Sequence, residues 1–140
     1  ERFPALTHLT LARCTNIDGS SFRRLAVLKK LKHLDVAYTA ITDTALLNLA
    51  PLKDLQALEL DATGIGDVGM QLFQELTSLR HLDLCDTRVS SAGLACLTKC
   101  TNLEELSVCN SRVGDDGLAH LSGLQSLKLL NLDSKLVTSA

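Results

Sequence analysis

Leucine recurs along the chain with the spacing Leu-x-x-Leu-x-Leu, and this spacing occurs six times. The copies begin at Leu6, Leu31, Leu55, Leu79, Leu103 and Leu127, and all eighteen framework positions are Leu or Val. The alternation in Leu-x-Leu predicts a short strand with one buried face. A single unit cannot bury its own leucines, so the units are expected to stack and to align their strands in a parallel sheet.

The rest of each unit follows a shared template. A small polar or thiol residue lies eight positions after each start: Cys14, Thr39, Thr63, Thr87 and Ser111, with Lys135 as the exception. A later column has residue types that suit helix N-caps: Gly19, Asp43, Asp67, Ser91, Asp115 and Ser139. Apolar residues every three positions then predict a short helix or 3-10 turn opposite the strand.

These motifs resemble the leucine-rich repeat family, whose signature is L-x-x-L-x-L-x-x-N/C/T-x-L. The segments 39–43 and 111–118 carry the pattern, and Cys14 to Asp18 is similar to the cysteine-containing repeats of F-box-type proteins. The first unit is 25 residues long and the following ones 24, and they mostly have Thr in place of Cys. The resemblance implies an α/β, right-handed solenoid, with parallel strands on the concave face and short helices or 3-10 turns on the convex face.

The ends of the chain fall inside the repeat pattern. Phe3 takes the helix-side core position of a preceding unit, and Ala140 comes directly after the cap position Ser139. Terminal repeats of a solenoid need polar capping structures, and neither end shows one. Residues 1–140 are therefore expected to form a single segment of about six units, taken from a larger solenoid or multidomain protein.

Composition narrows the class of partner. Fourteen Lys and Arg against sixteen Asp and Glu give a net charge of −2, and aromatic residues make up 3% with no Trp. This balance disfavours nucleic acid and anionic membranes as partners. Five cysteines, an odd number, and no Asn-x-Ser/Thr sequon favour a reducing, cytoplasmic location.

The exposed strand positions contain the candidate binding site. Asp35, Glu59 and Asp83 occupy the same position in consecutive units, so parallel strands would place them about 4.8 Å apart. Tyr38, Asp61 and Asp86 lie on the same face. Adjacent like charges oppose folding, which favours a docking surface for a basic segment of a partner protein. The alternative is a solvated polar sheet face.

Three weaker motifs have structural explanations in the repeat. Gly64 to Gly69 matches G-x-G-x-x-G, but each of its residues occupies a repeat column, so no cofactor is expected. Cys96, Cys100 and His120 lack an obvious fourth zinc ligand, and no metal is expected. Cys85 and Cys109 should face the open side without a base to activate them, whereas Cys14 and Cys100 fall in structural columns.

The sequence therefore predicts a non-enzymatic protein–protein interaction module. The resemblance to F-box-type repeats implies one alternative, the substrate-recognition part of a ubiquitin ligase complex. A cell-surface receptor ectodomain fragment and the targeting arm of an enzyme are further alternatives. Fold analogy does not choose among them.

Overall fold

The computed structural model describes residues 3–17, 19–133 and 135–138. Strands alternate with short helical elements along the whole of this range. In chain order the elements are β1 (His8–Thr10), α1 (Gly19–Leu25), β2 (His33–Asp35), α2 (Asp43–Leu47), β3 (Ala57–Glu59), a 3-10 helix (Gly69–Gln74), β4 (His81–Asp83), α3 (Ser91–Leu94), a 3-10 helix (Ala95–Lys99), β5 (Glu105–Ser107), α4 (Asp115–Ala119) and β6 (Leu129–Asn131).

The six strands form one parallel sheet in the order of the sequence. The central leucines of neighbouring strands are register partners, as in Leu34 with Leu58 and Leu58 with Leu82. Each strand connects to the next through a helical element on the opposite side. The predicted α/β, right-handed solenoid is confirmed, with parallel strands on one face and short helices or 3-10 turns on the other.

The core lies between the sheet and the helical elements. Leu34, Leu58 and Leu106 from the strands are fully buried, as are Phe22 and Phe73 from the helical side. The predicted framework positions therefore face inward throughout the middle of the stack. In the last repeat the equivalent residue, Leu130, is 38% exposed, because the described residues cover it from one side.

The polar column predicted to cap the helices has another role. Its described members after Gly19 are Asp43, Asp67, Ser91 and Asp115, and Ser139 lies outside the described residues. Asp67 Oδ1 accepts a hydrogen bond from Ser90 N at 2.8 Å, and its Oδ2 accepts one from Ser90 Oγ at 2.6 Å. Equivalent bonds between repeats join Asp43 to Gly66, Ser91 to Gly114 and Asp115 to Thr138.

For α2, α3 and α4 the N-cap prediction is therefore wrong by one residue. The caps of α2, α3 and α4 are Thr42, Ser90 and Gly114, which have extended backbone conformations. The residue after each cap is already helical, so its side chain lies beside the next repeat and not over its own first turn. We call these cross-repeat bonds the polar ladder.

The turns after the strands have the same structure in successive repeats. Thr39, Thr63 and Thr87 are buried, and each hydroxyl donates to the carbonyl three residues earlier at 2.6 Å. The residue before this position has a positive φ between 50° and 62° in the first five repeats, although none is glycine: Arg13, Tyr38, Ala62, Asp86 and Asn110. The cost of this left-handed conformation is offset by a bond from each N–H to a carbonyl of the next repeat.

No helix within the described residues has the length and apolar character required to cross a membrane.

Truncating one central leucine should destabilise the whole stack. Leu58→Ala removes a fully buried side chain and should lower the free energy of unfolding by about 2–5 kcal/mol. Chemical denaturation followed by circular dichroism measures this change. Gln56→Ala, in the same repeat but with a partly exposed side chain, should stay within about 0.5 kcal/mol of wild type. A loss below about 1 kcal/mol for Leu58→Ala would contradict the leucine's place in the core.

Candidate partner-binding surface

Three acidic residues end consecutive strands on the outward face of the sheet. Asp35 pairs with Glu59 in the register of β2 and β3, and Glu59 pairs with Asp83 in that of β3 and β4. All three are half-buried. We call them the acidic row. It continues into uncharged residues on both sides, with Thr10 in β1 and Ser107 in β5.

Two members of the acidic row also fix the backbone. Asp35 Oδ1 accepts a hydrogen bond from Ala37 N at 3.0 Å, and Asp83 Oδ1 accepts one from Cys85 N at 2.8 Å. Such bonds between a side chain and the backbone two residues on stabilise turns. The aspartates therefore contribute to the chain reversal after each strand as well as to surface charge, which the sequence pattern did not reveal.

Glu59 occupies the centre of the row and has a different contact. Its Oε1 lies 3.4 Å from Nε2 of His33. Burial raises the pKa of the Glu59 carboxyl, and the neighbouring charge of Asp35 raises it further. His33 opposes this shift, and Asp83 adds to it. Burial and the like charges in register therefore both disfavour the ionised form of Glu59.

Tyr38 lies in the turn after β2, and its aromatic side chain is 45% exposed. The guanidinium carbon of Arg13 lies 4.6 Å from the centre of its ring, a cation–π distance. The hydrogen bond and charge of Asp61 raise the pKa of the Tyr38 hydroxyl, and Asp86 contributes in the same direction. Tyr38, Asp61 and Asp86 are therefore electrostatic neighbours on one surface.

Asp61 and Asp86 differ in their local environments. Asp61 is half-buried, and its Oδ1 has no hydrogen-bond partner among the described residues. Asp86 is exposed at a left-handed turn, where its N–H donates to Cys109 O at 2.9 Å. The six predicted site residues thus lie on the strands β2 to β4 and on the turns that follow them. Their role in binding stays a prediction.

Counter-charges neutralise the neighbouring part of the face. Glu104 forms ion pairs with Arg80 and with Lys128, and these cations lower its pKa. His81 Nδ1 lies 3.2 Å from Glu105 Oε2. Glu104 and Glu105 therefore each have a basic partner, whereas Asp35 and Asp83 form no salt bridge within the described residues. A shallow depression of about 210 Å³ next to the row is lined by Glu59, His81, Leu82, Asp83, Glu105 and Ser107.

The cysteines only partly match their predicted exposure. Cys100 is buried, and its thiol donates to Phe73 O at 3.2 Å; burial raises its pKa to about 11. Cys14 was expected in a structural column, but it is exposed, because the first repeat has a neighbour on one side within the described range. Cys85 is half-buried, and burial together with contacts to Cys109 and Asp83 raises its pKa.

The glycine-rich segment 64–69 has a packing explanation in the structure. Ile65 is fully buried, and Asp67 belongs to the polar ladder. A Cβ on Gly69 would lie 2.6 Å from Asp43 Oδ1. A side chain at this position would therefore have to displace the Asp43 carboxylate, which accepts a hydrogen bond from Gly66 N.

Comparisons with known proteins agree with the repeat architecture. The family model described as Leucine Rich repeat matches residues 27–50 and 99–122. No curated protein matches the chain. An internalin (inlF) of Listeria monocytogenes is similar in structure, with a TM-score of 0.83 and 22% identity over 99% of this chain. The chain spans 38% of the length of that internalin.

Two receptor structures share the fold at lower similarity. The ectodomain of the receptor kinase SOBIR1 from Arabidopsis thaliana has a TM-score of 0.58 and 20% identity, covering 95% of this chain and 67% of its own. TLR13, solved in complex with ssRNA13, has a TM-score of 0.61 and 22% identity, covering 77% of this chain and 15% of its own. Identities at this level show a common fold.

Neutralising Glu59 should stabilise the chain near pH 7. Glu59→Gln removes a charge that burial and Asp35 disfavour in the folded state. The pKa of Glu59 is higher in the folded state than in the unfolded state. Wild type therefore gains stability as the pH falls and Glu59 becomes protonated, and the advantage of the variant shrinks. Denaturation midpoints of both proteins near pH 7 and near pH 4 measure the effect.

Glu75→Gln is the control of opposite sign. Lys53 lowers the pKa of Glu75, so this variant should lose stability near pH 7 and approach wild type in acid. If the difference in stability between Glu59→Gln and wild type were the same at both pH values, ionisation of Glu59 would not be its cause.

Thiol labelling should follow the observed exposure. With a maleimide under reducing conditions, Cys14 should react first and Cys100 last, since Cys14 is exposed while burial raises the pKa of Cys100. Cys85 should react more slowly than Cys14 for the same reason. Mass mapping of labelled peptides gives the order, and labelling of Cys85 before Cys14 would contradict it.

Proposed function

We propose that this chain, which matches the Leucine Rich repeat model over residues 27–50 and 99–122 and shares the fold of leucine-rich repeat proteins, is a non-enzymatic interaction module that binds a partner protein on the outward face of its sheet. The partner contributes a basic segment. The observation that carries this proposal is the acidic row, with Asp35, Glu59 and Asp83 in direct register on neighbouring strands.

The energetics of the acidic row favour a cationic ligand. Like charges in adjacent strands destabilise a sheet, and the raised pKa of Glu59 reflects that repulsion together with burial. A Lys or Arg side chain from the partner would bring positive charge to all three carboxylates of the row. Binding and ionisation of Glu59 are then linked, so the basic segment binds more tightly as Glu59 loses its proton.

Neighbouring side chains add shape and specificity to this surface. Tyr38 is an exposed aromatic held by Arg13 on its face, and aromatic anchors contribute much of the binding energy at protein interfaces. Asp61 and Asp86 extend the negative charge beside it. We assign Tyr38 as the apolar anchor and the two aspartates as the acidic rim.

The charge of the surface also bears on the class of partner. TLR13 was solved with ssRNA13, so the shared fold does not by itself exclude nucleic acid. In this chain the three carboxylates of the acidic row would face the negative phosphates of a nucleic acid, and such contacts are repulsive. A protein with a basic segment is therefore the favoured partner.

Charge reversal in the row tests the proposal. A labelled Lys-rich peptide serves as the probe, and fluorescence anisotropy measures its affinity for the whole chain. Glu59→Lys should weaken binding at least tenfold, and the difference should shrink with added salt. Asp54→Lys makes the same charge change at an exposed position outside the sheet and should leave the affinity within twofold.

Asparagine variants separate charge from structure. Asp35→Asn and Asp83→Asn keep an oxygen that can accept the bonds from Ala37 N and Cys85 N but remove the charge. Both should weaken peptide binding while melting temperatures stay near wild type. Equal weakening by Asp54→Lys and Glu59→Lys, or tighter binding of single-stranded RNA than of the peptide, would refute the proposal.

A further inference from the structure

Charge is divided unevenly along the chain. Residues 1–32 contain seven Lys and Arg and two Asp and Glu, a net charge of +5, whereas residues 33–140 contain seven and fourteen, a net charge of −7. The overall value of −2 therefore conceals a basic first repeat followed by an acidic remainder.

Four of these cations lie close together in sequence on and just after α1. Arg23 and Arg24 lie in the last turn of α1, and Lys29 and Lys30 lie in the turn that leads to β2. All four are exposed, and none forms a salt bridge within the described ranges. Val27 lies between the two pairs and is 49% exposed. We call these five residues the basic patch.

The repeat itself does not require this patch. Twenty-four residues further on, the equivalent positions are Leu47, Asn48, Pro51, Lys53 and Asp54. Lys53, the remaining cation among them, is paired with Glu75 at 2.5 Å. Since the second repeat folds in the same way without the cluster, the fold does not explain the four cations of the first.

A groove next to the patch has a lining suited to anions. It lies between α1 and α2 with a volume of about 440 Å³, and Arg23 lies on its wall together with Thr42 and Thr44. No acidic residue is among its described lining. The two helices approach closely here, because a Cβ on Gly19 would lie 3.2 Å from that of Ala45. Hydroxyl groups and one guanidinium therefore surround a space large enough for an Asp or Glu side chain.

We infer that the basic patch and the groove beside Arg23 form a second binding surface, which takes an acidic segment of a partner polypeptide. An arginine guanidinium binds a carboxylate through two parallel hydrogen bonds, and Lys29 and Lys30 provide further charge for neighbouring acidic residues. Val27 contacts an apolar residue of the segment. Because α1 lies opposite the sheet, this surface is separate from the acidic row.

The patch suits a polypeptide better than a membrane or a nucleic acid. Helix α1 has seven residues; its Phe22 is fully buried, and its Leu25 is half-buried and packs against the core, so α1 offers no broad apolar face for insertion into a bilayer. The basic patch contains no aromatic residue on which bases could stack. Carboxylates on a flexible segment can reach both the groove and the lysines.

A labelled Glu-rich peptide containing one Leu is the probe, measured by anisotropy against the whole chain. Reversing the patch with Lys29→Glu and Lys30→Glu together should weaken binding at least tenfold, as should Arg23→Glu with Arg24→Glu. The matched control, Arg88→Glu with Lys99→Glu, changes the net charge equally at exposed positions in later repeats and should stay within twofold. Circular dichroism verifies folding, and Arg23→Gln with Arg24→Gln replaces the reversal if it unfolds.

Two further probes identify the class of ligand. Vesicles containing phosphatidylserine and a single-stranded oligonucleotide should each bind at least tenfold more weakly than the peptide. Equal losses in the patch and control variants would show non-specific attraction and overturn the inference. Tighter binding of vesicles or oligonucleotide, lost with the same patch variants, would also overturn it, because the surface would then serve another class of ligand.

Discussion

Stacking between neighbouring repeats is the interaction on which the remainder of the molecule depends. Each strand is three residues long, which is too short to persist alone, and each leucine stripe needs the next repeat to cover it. The polar ladder adds to this dependence, because Asp43, Asp67 and Asp115 satisfy backbone groups of the following repeat and not of their own. Stability is therefore shared between neighbours, as expected for a quasi-one-dimensional protein.

The same register that aligns the leucines also aligns the polar side chains. A residue type repeated at one position becomes a continuous strip across the sheet, whether or not its members attract one another. In the acidic row they repel, and Glu59 has an acidic neighbour on both sides. The buried framework behind the row, with Leu34, Leu58 and Leu82 at most 3% exposed, holds the carboxylates together against that repulsion. Surface chemistry can therefore vary by column while the stack is preserved.

Sequence periodicity predicted the features that depend on this register. The leucine framework, the parallel sheet and the adjacency of Asp35, Glu59 and Asp83 all follow from one spacing. The periodicity could not predict features that change when an assignment shifts by one residue. It also could not predict features that depend on where a repeat lies in the stack. At α2, α3 and α4 the ladder residue lies one position past the cap. Tyr38 and Ala62 adopt left-handed turns without a glycine to signal them, and Cys14 is exposed in the first of the described repeats. The pairing of Glu104 with Arg80 and Lys128 depends on long side chains meeting across strands.

The two proposed surfaces differ in how their ligands would act on the stack. A basic segment on the acidic row would contact β2, β3 and β4 together, so its binding free energy opposes separation of three consecutive repeats. An acidic segment on the basic patch would contact α1 and the groove to α2, and would hold only the first two repeats together. Coupling in a solenoid passes mainly between nearest neighbours. A ligand on the acidic row should therefore oppose unfolding of the middle strands, and a ligand on the basic patch should oppose unfolding of the first two repeats. The second repeat contributes to both surfaces, through Asp35 to one and Thr42 to the other, so any thermodynamic coupling between the two partners must pass through it.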